Sequence, residues 1–166
     1  MKIFTLTTLI SLGLLSMNAF ADGDTYSGFS VDYVRSTQNG VNDSSSALAI
    51  LKSVRPDEHY GYEMQFGLFG SSGPFTSSTF VDISAIGLVP LNNKGLKLYG
   101  KAGVADVYSR GLPGKANNLG LTYGAGIEYP RGNGAIRIGF QHLNVGNNTL
   151  SPSLSTNLIG LTLLIN

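Results

Sequence analysis

From Leu119 to His142 the chain alternates. Leu119, Leu121, Tyr123, Ile127 and Tyr129 are separated by Gly120, Thr122, Gly124, Gly126 and Glu128. After Arg131-Gly132-Asn133-Gly134 the alternation resumes, with Ile136, Ile138 and Phe140 against Arg137, Gly139 and Gln141. A period of two predicts strands, because successive side chains of an extended chain point to opposite faces; the Gly-rich turn predicts a hairpin. The bulky face is the apolar one, and the other carries glycine and charge. A soluble barrel puts its bulky apolar groups inside, so this inverted pattern is that of a sheet meeting lipid.

The same alternation recurs in eight segments, roughly Thr25–Ser36, Ala47–Arg55, His59–Ser71, Thr79–Leu91, Leu96–Arg110, Asn118–Pro130, Ala135–Val145 and Thr156–Asn166. Each reaches the ~9–11 residues that a tilted strand needs to cross a bilayer. Pro56-Asp57-Glu58, Asn92-Asn93-Lys94-Gly95 and Arg131-Gly132-Asn133-Gly134 read as tight turns. The connections 37–46, 72–78, 111–117 and 146–155 read as longer loops rich in Ser, Asn, Gly and Pro. Short turns at one end and longer loops at the other predict an all-β, eight-stranded antiparallel up-and-down transmembrane barrel. Closure removes the sheet edges that hydrocarbon cannot tolerate.

Parity assigns the faces. Phe29, Val31 and Tyr33 face lipid, as do Tyr60, Tyr62, Met64, Phe66 and Leu68. Val81, Ile83, Ala85, Val89, Leu98, Ala102, Val104, Ile159, Leu161, Leu163 and Ile165 join them. In the second segment Leu48 and Ile50 share parity with Lys52. A lysine on the lipid face near the midplane costs about 2–4 kcal/mol, so Ala47, Ala49 and Leu51 are expected outside. Tyr60, Tyr62 and Tyr129 then fall at the short-turn end and Tyr33 and Tyr108 toward the other, as interfacial aromatics. Inside, the expectation is a balanced cluster of Asp32, Lys52, Glu63, Asp82, Lys97, Lys101, Glu128 and Arg137. With Gly132 and Asn133 at the centre of their turn, Glu128 lies opposite Arg137, a pairing that favours this register. An eight-stranded barrel has room inside only for side chains, so the cluster is expected to fill and lock the lumen.

Charged residues are 13% of the 166, about half the roughly 25% of a soluble domain. A net charge of +1 lacks the basic stripe that nucleic acid needs. With no cysteine there is no disulfide, thiolate metal site or thiol nucleophile. Lys2, the apolar run Ile3 to Leu15 and Asn18-Ala19-Phe20-Ala21 read as a secretory signal over residues 1–21, leaving the barrel domain at 22–166. An exported chain with lipid-facing strands is expected in a bacterial outer membrane, termini periplasmic and loops extracellular.

Three stretches go further than pattern: Tyr99-Gly100-Lys101-Ala102-Gly103-Val104, Leu121-Thr122-Tyr123-Gly124-Ala125-Gly126-Ile127-Glu128-Tyr129, and Gly139-Phe140-Gln141-His142-Leu143-Asn144-Val145-Gly146. With the eight segments they resemble the small outer-membrane β-barrel family of OmpA and OmpX type. The resemblance implies a non-enzymatic monomer, without cofactor or metal, acting in envelope integrity, surface adhesion or host interaction. It also implies outer-membrane lipids, lipopolysaccharide and the barrel-assembly machinery as partners, with any extracellular ligand held by loops 37–46, 72–78, 111–117 and 146–155. The inward Glu128, Arg137, Lys97 and Lys101 are similar to that family's internal salt-bridge set. The chain departs from it in ending Leu163-Leu164-Ile165-Asn166, where such barrels end in an aromatic residue.

Three other readings stay open. A narrow porin-like channel would run through the charged lumen. A lipid A-modifying enzyme would use a His on the lipid face, and His142 has that parity; the serine such deacylases carry two residues on is Asn144 here. A lipocalin-like soluble barrel would need an apolar interior, against Lys97, Lys101, Glu128 and Arg137 on one face. His59 reads as a solvated turn residue, and Ser44, Ser45 and Ser46 as polar loop.

Overall fold

A computed structural model of the chain describes residues 23–38, 41–70, 76–93, 95–110, 117–146 and 154–166. The expected signal sequence and most of loops 72–78, 111–117 and 146–155 lie outside the described residues. Eight strands follow one another: β1 (Asp24–Gln38), β2 (Val41–Arg55), β3 (Tyr60–Phe69), β4 (Thr76–Pro90), β5 (Lys97–Arg110), β6 (Asn117–Arg131), β7 (Gly134–Val145) and β8 (Leu154–Ile165). Each pairs antiparallel with the next and β8 pairs with β1, so the sheet is a closed up-and-down barrel. The β6–β7 hairpin sets Glu128 directly across from Arg137.

Turn chemistry explains the short-turn end. Gly95 and Gly132 hold φ of 84° and 57°, the left-handed region where a Cβ is strained. In the β2–β3 turn the His59 backbone N–H donates to Asp57 Oδ1 at 2.7 Å, and this bond holds the Asp57 carboxyl below the usual carboxylate range.

Two expectations are corrected here. The first is loop 37–46. Gln38 pairs with Val41, so only Asn39 and Gly40 lie between β1 and β2, and Ser44, Ser45 and Ser46 are strand residues. Asn-Gly is the dipeptide most suited to a two-residue hairpin. The second follows from the register this hairpin sets. Leu48 lies between Val31 and Leu68, and Ile50 between Phe29 and Phe66, all on the outer face. Ala47, Ala49 and Leu51 are therefore buried in the lumen, and Lys52 points outward between Ser27 and Met64. Lys52 stands only three residues from the strand end at Arg55. There the cost of a lipid-facing cation falls to about 0–1 kcal/mol, and its stem can carry the ammonium to the interface. Placing both Leu48 and Ile50 against lipid outweighs that cost.

The interior is layered. Toward the long-loop end Val34, Phe69, Phe80, Val107, Leu143 and Leu158 pack into an apolar plug. Gly67 makes the plug possible: a Cβ there would fall within the Phe80 ring. The polar network occupies the middle and the short-turn half of the lumen. It is flanked by Leu51, Ala135 and Leu164 on one wall and Ile86, Leu88 and Tyr99 on another. The expected interior of small and charged residues is thus only half of the lumen. The sequence signal was Phe80, Leu143 and Leu158, whose parity is inward despite their bulk.

Candidate functional site: the charged lumen and the outer wall

Six strands contribute to one ion-pair ladder. Arg55, at the end of β2, forks onto Glu128 of β6, donating from Nη1 at 2.9 Å and Nη2 at 2.6 Å. Arg137 of β7 donates its Nε to the same carboxylate at 2.7 Å and its Nη1 to Glu63 of β3. Glu63 faces Lys101 of β5, whose Nζ lies 3.5 Å from Glu63, 3.0 Å from Gln65 Oε1 and 3.7 Å from Asp82 of β4. Asp82 in turn accepts from Ser84, Gln141 and, at 3.1 Å, Thr122. The rings of Tyr26 and Tyr99 lie under Arg55 and Arg137 at 4.4 and 4.8 Å.

The connected groups balance: Arg55, Arg137 and Lys101 against Glu128, Glu63 and Asp82, all of them buried. Each buried charge has a close counter-charge, the condition under which buried ions persist, although Arg55 Nε and Arg137 Nη2 have no hydrogen-bond partner among the described residues. Each of the three ladder carboxylates meets at least one cation. Among the described residues no cluster of His, Asp and Glu could hold a metal ion.

The sequence-predicted cluster is only partly brought together. Glu63, Asp82, Lys101, Glu128 and Arg137 meet in the ladder. Asp32 shares the lumen but stands aside, accepting from Ser30 Oγ at 2.8 Å. It borders a cavity of about 20 Å³, room for one water, that Tyr99, Lys101 and Arg137 also line. Lys97 has inward parity yet reaches the rim, where its Nζ donates to the Glu58 carbonyl at 3.3 Å. Its place at the first residue of β5 leaves the ammonium in water instead of in the ladder. Lys52 is outside the barrel, and Arg55 supplies the base that it was expected to supply. Arg55 was missed because inverting the parity of β2 turned it outward. Gln65, Thr122 and Gln141 carry inward parity that polar, uncharged side chains do not advertise.

Neither protein-family models nor curated protein sequences match the chain. Solved structures do. Neisserial surface protein A aligns with a TM-score of 0.72 at 12% identity, over 85% of this chain and 96% of its own. Ail, the attachment invasion locus protein of Yersinia pestis, gives 0.56 at 17% identity, over 86% and 99%. The outer membrane enzyme PagL gives 0.51 at 13% identity, over 82% and 99%. The fold is that of a small outer-membrane barrel. At these identities the likeness lies in the fold.

Seen as such a barrel, the chain has an outer wall in keeping with the architecture. Phe29, Ile50, Leu68, Ile83, Val104, Leu121, Ile138 and Leu161, one from each strand, are all about half exposed or more, at 44–66%. Of the expected interfacial aromatics, Tyr33, Tyr60, Tyr62 and Tyr129 stand exposed on this wall, and Tyr108 has the same outward parity and is half-buried. His142 is on the wall too. Its Nδ1 lies 2.8 Å from Asn157 Oδ1, and its ring packs against Tyr123 at 4.9 Å between centroids. His59 is exposed in its turn, 3.1 Å from Asp57.

Proposed function

We propose that the chain is an integral outer-membrane barrel of non-enzymatic type. In this reading residues 1–21 direct export, the short turns and both ends of 22–166 face the periplasm, and the long-loop end faces the exterior. The observation that carries it is the continuous apolar belt. Large side chains stand exposed on all eight strands, far beyond the few hundred Å² of contiguous apolar surface that a soluble monomer tolerates. Burial of the charged residues on the opposite face supports the same reading.

The non-enzymatic part rests on the wall around His142. Asn144, two residues along β7, offers a carboxamide where an acyl-transfer site needs a nucleophile. The ladder and the apolar plug together support a closed lumen. The role then lies with the exposed end, in surface adhesion, host interaction or envelope integrity, with 72–78, 111–117 and 146–155 as the segments available to a partner. The neighbours named for a surface protein and for attachment and invasion support that class of role.

Fractionation of cells expressing the full chain tests it. The protein is expected in the outer-membrane fraction, soluble only in detergent, as a folded band that migrates faster before boiling than after. Recovery in the soluble periplasm without detergent would overturn the reading.

A further inference from the structure

Arg35 of β1 and Asp106 of β5 both stand on the outer wall near the long-loop end, on strands opposite one another in the barrel. Neither is matched where it stands. Arg35 is exposed beside Ser44 and Asn157, and no ion pair or hydrogen bond engages its guanidinium among the described residues. Asp106 lies between Val81 and Leu119, with Thr79 and Asn117 on the diagonals, and none of these is a cation. Its Oδ1 is buried without a hydrogen-bond partner among the described residues, so the carboxylate presents its charge through Oδ2.

The register places the two charges at one level. The row through Val31 meets β5 at Leu98 when followed through β8, β7 and β6. Followed the other way, through β2, β3 and β4, it meets β5 at Tyr108. Strands of a barrel tilt against its axis, so one arm of the row climbs as the other descends. Val31 is therefore level with the midpoint on β5, Gly103. The two strands run in the same direction, so Arg35 is level with Val107, between the outward-facing Asp106 and Tyr108. By the same count Phe29 is level with Lys101, between the outward-facing Gly100 and Ala102.

Below the two charges the walls differ in relief. On β1 Phe29, Val31 and Tyr33 project, each about half exposed. On the opposite wall Gly87, Gly100 and Ala125 share one row and Ala85 and Ala102 the next, which leaves a hollow in the belt. A Cβ added at Gly87 would meet nothing within 4 Å.

Copies of one barrel in one membrane share their orientation and depth. When the β1 wall of one copy meets the β5 wall of the next, Arg35 reaches Asp106 and Phe29 reaches the hollow in the same alignment. We propose that these two walls form a head-to-tail interface between copies of this chain, closed by an Arg35–Asp106 ion pair at the edge of the lipid belt. Opposite charges away from bulk water attract strongly and fix the alignment, while small residues let the walls approach closely. The contact joins two different patches, so it is heterologous and repeats as a row. It departs from the monomer that the family resemblance implies, and it rests on the reading that this wall faces lipid.

The chain has no cysteine, so introduced thiols report on the contact. Tyr33→Cys and Val104→Cys each lie one outward position below a charge and leave both charges in place. The full barrel in each form is refolded into phosphatidylcholine vesicles, alone or mixed, and treated with a short bis-maleimide. The mixture is expected to give a crosslinked dimer, and each form alone to give little. Arg35→Gln in both copies is expected to cut the dimer yield about tenfold, the effect of one charged pair. Exchanging the charges, Arg35→Asp with Asp106→Arg, restores it. Equal yields from the mixture and from either form alone overturn the head-to-tail contact. An undiminished yield from folded Arg35→Gln overturns the ion pair, as does a charge exchange that fails to restore the yield. Failure of the wild type to float with vesicles at all would instead refute the membrane reading on which the contact depends.

Discussion

Glu128 is the residue on which the ladder converges, because among the described residues it alone accepts from two guanidinium groups, Arg55 and Arg137. Glu128→Gln keeps the shape and removes the charge, leaving two buried cations with one carboxylate between them. Breaking a buried ion pair from one side costs about 3–5 kcal/mol, most of it the uncompensated partner. The expected result is a loss of that order in the urea-unfolding free energy of the barrel in vesicles. Lys52→Gln is the matched control. Lys52 is outside the ladder and near the strand end, so its loss is expected to stay within ~1 kcal/mol. Equal costs for the two substitutions would sink the ladder as the element that locks the lumen. The pairing of Glu128 with Arg137 was legible in the sequence because a tight turn fixes the register of what it joins. The contact of Arg55 with Glu128 was not, since the two are 73 residues apart and no turn relates them.

For whole strands, legibility followed the length of the uninterrupted alternation. β6 and β7 alternate without a break across a Gly-Asn turn, and their pairing and faces were readable residue by residue. β2 was not, and the reason is physical. Its outward face carries Asn42, Ser44 and Ser46 before Leu48 and Ile50, so its first half resembles a loop and hides the Asn39-Gly40 hairpin. Lys52 then weighed as if it were at the midplane, although depth decides its cost and depth cannot be read before the hairpin is placed. Spin labels settle the register of β2. Labels at Leu48→Cys and Ile50→Cys are expected to be accessible to oxygen dissolved in the bilayer, and labels at Ala47→Cys and Ala49→Cys to be shielded from it. The opposite pattern would restore the inverted strand.

For the whole barrel, the closed lumen we propose would depend on two barriers in series. Phe80, Leu143 and Leu158 fill the long-loop half with apolar side chains, and the Arg–Glu ladder crosses the rest. They fail in different ways. Truncating the plug leaves a cavity that water enters, but an ion must still pass the paired groups, where charges of both signs are fixed. Opening the ladder alone leaves an apolar constriction that excludes ions by their desolvation. Wild type in planar bilayers is therefore expected to show no resolvable conductance, and Phe80→Ala with Leu143→Ala to stay closed. Adding Arg137→Ala to that pair removes the group that bridges Glu63 and Glu128 and is expected to produce discrete openings. These openings should favour cations, since two carboxylates then line the path with one guanidinium fewer. A stable current from the wild type would show that the interior is a channel. A current from the plug variant alone would show that the ladder is no barrier.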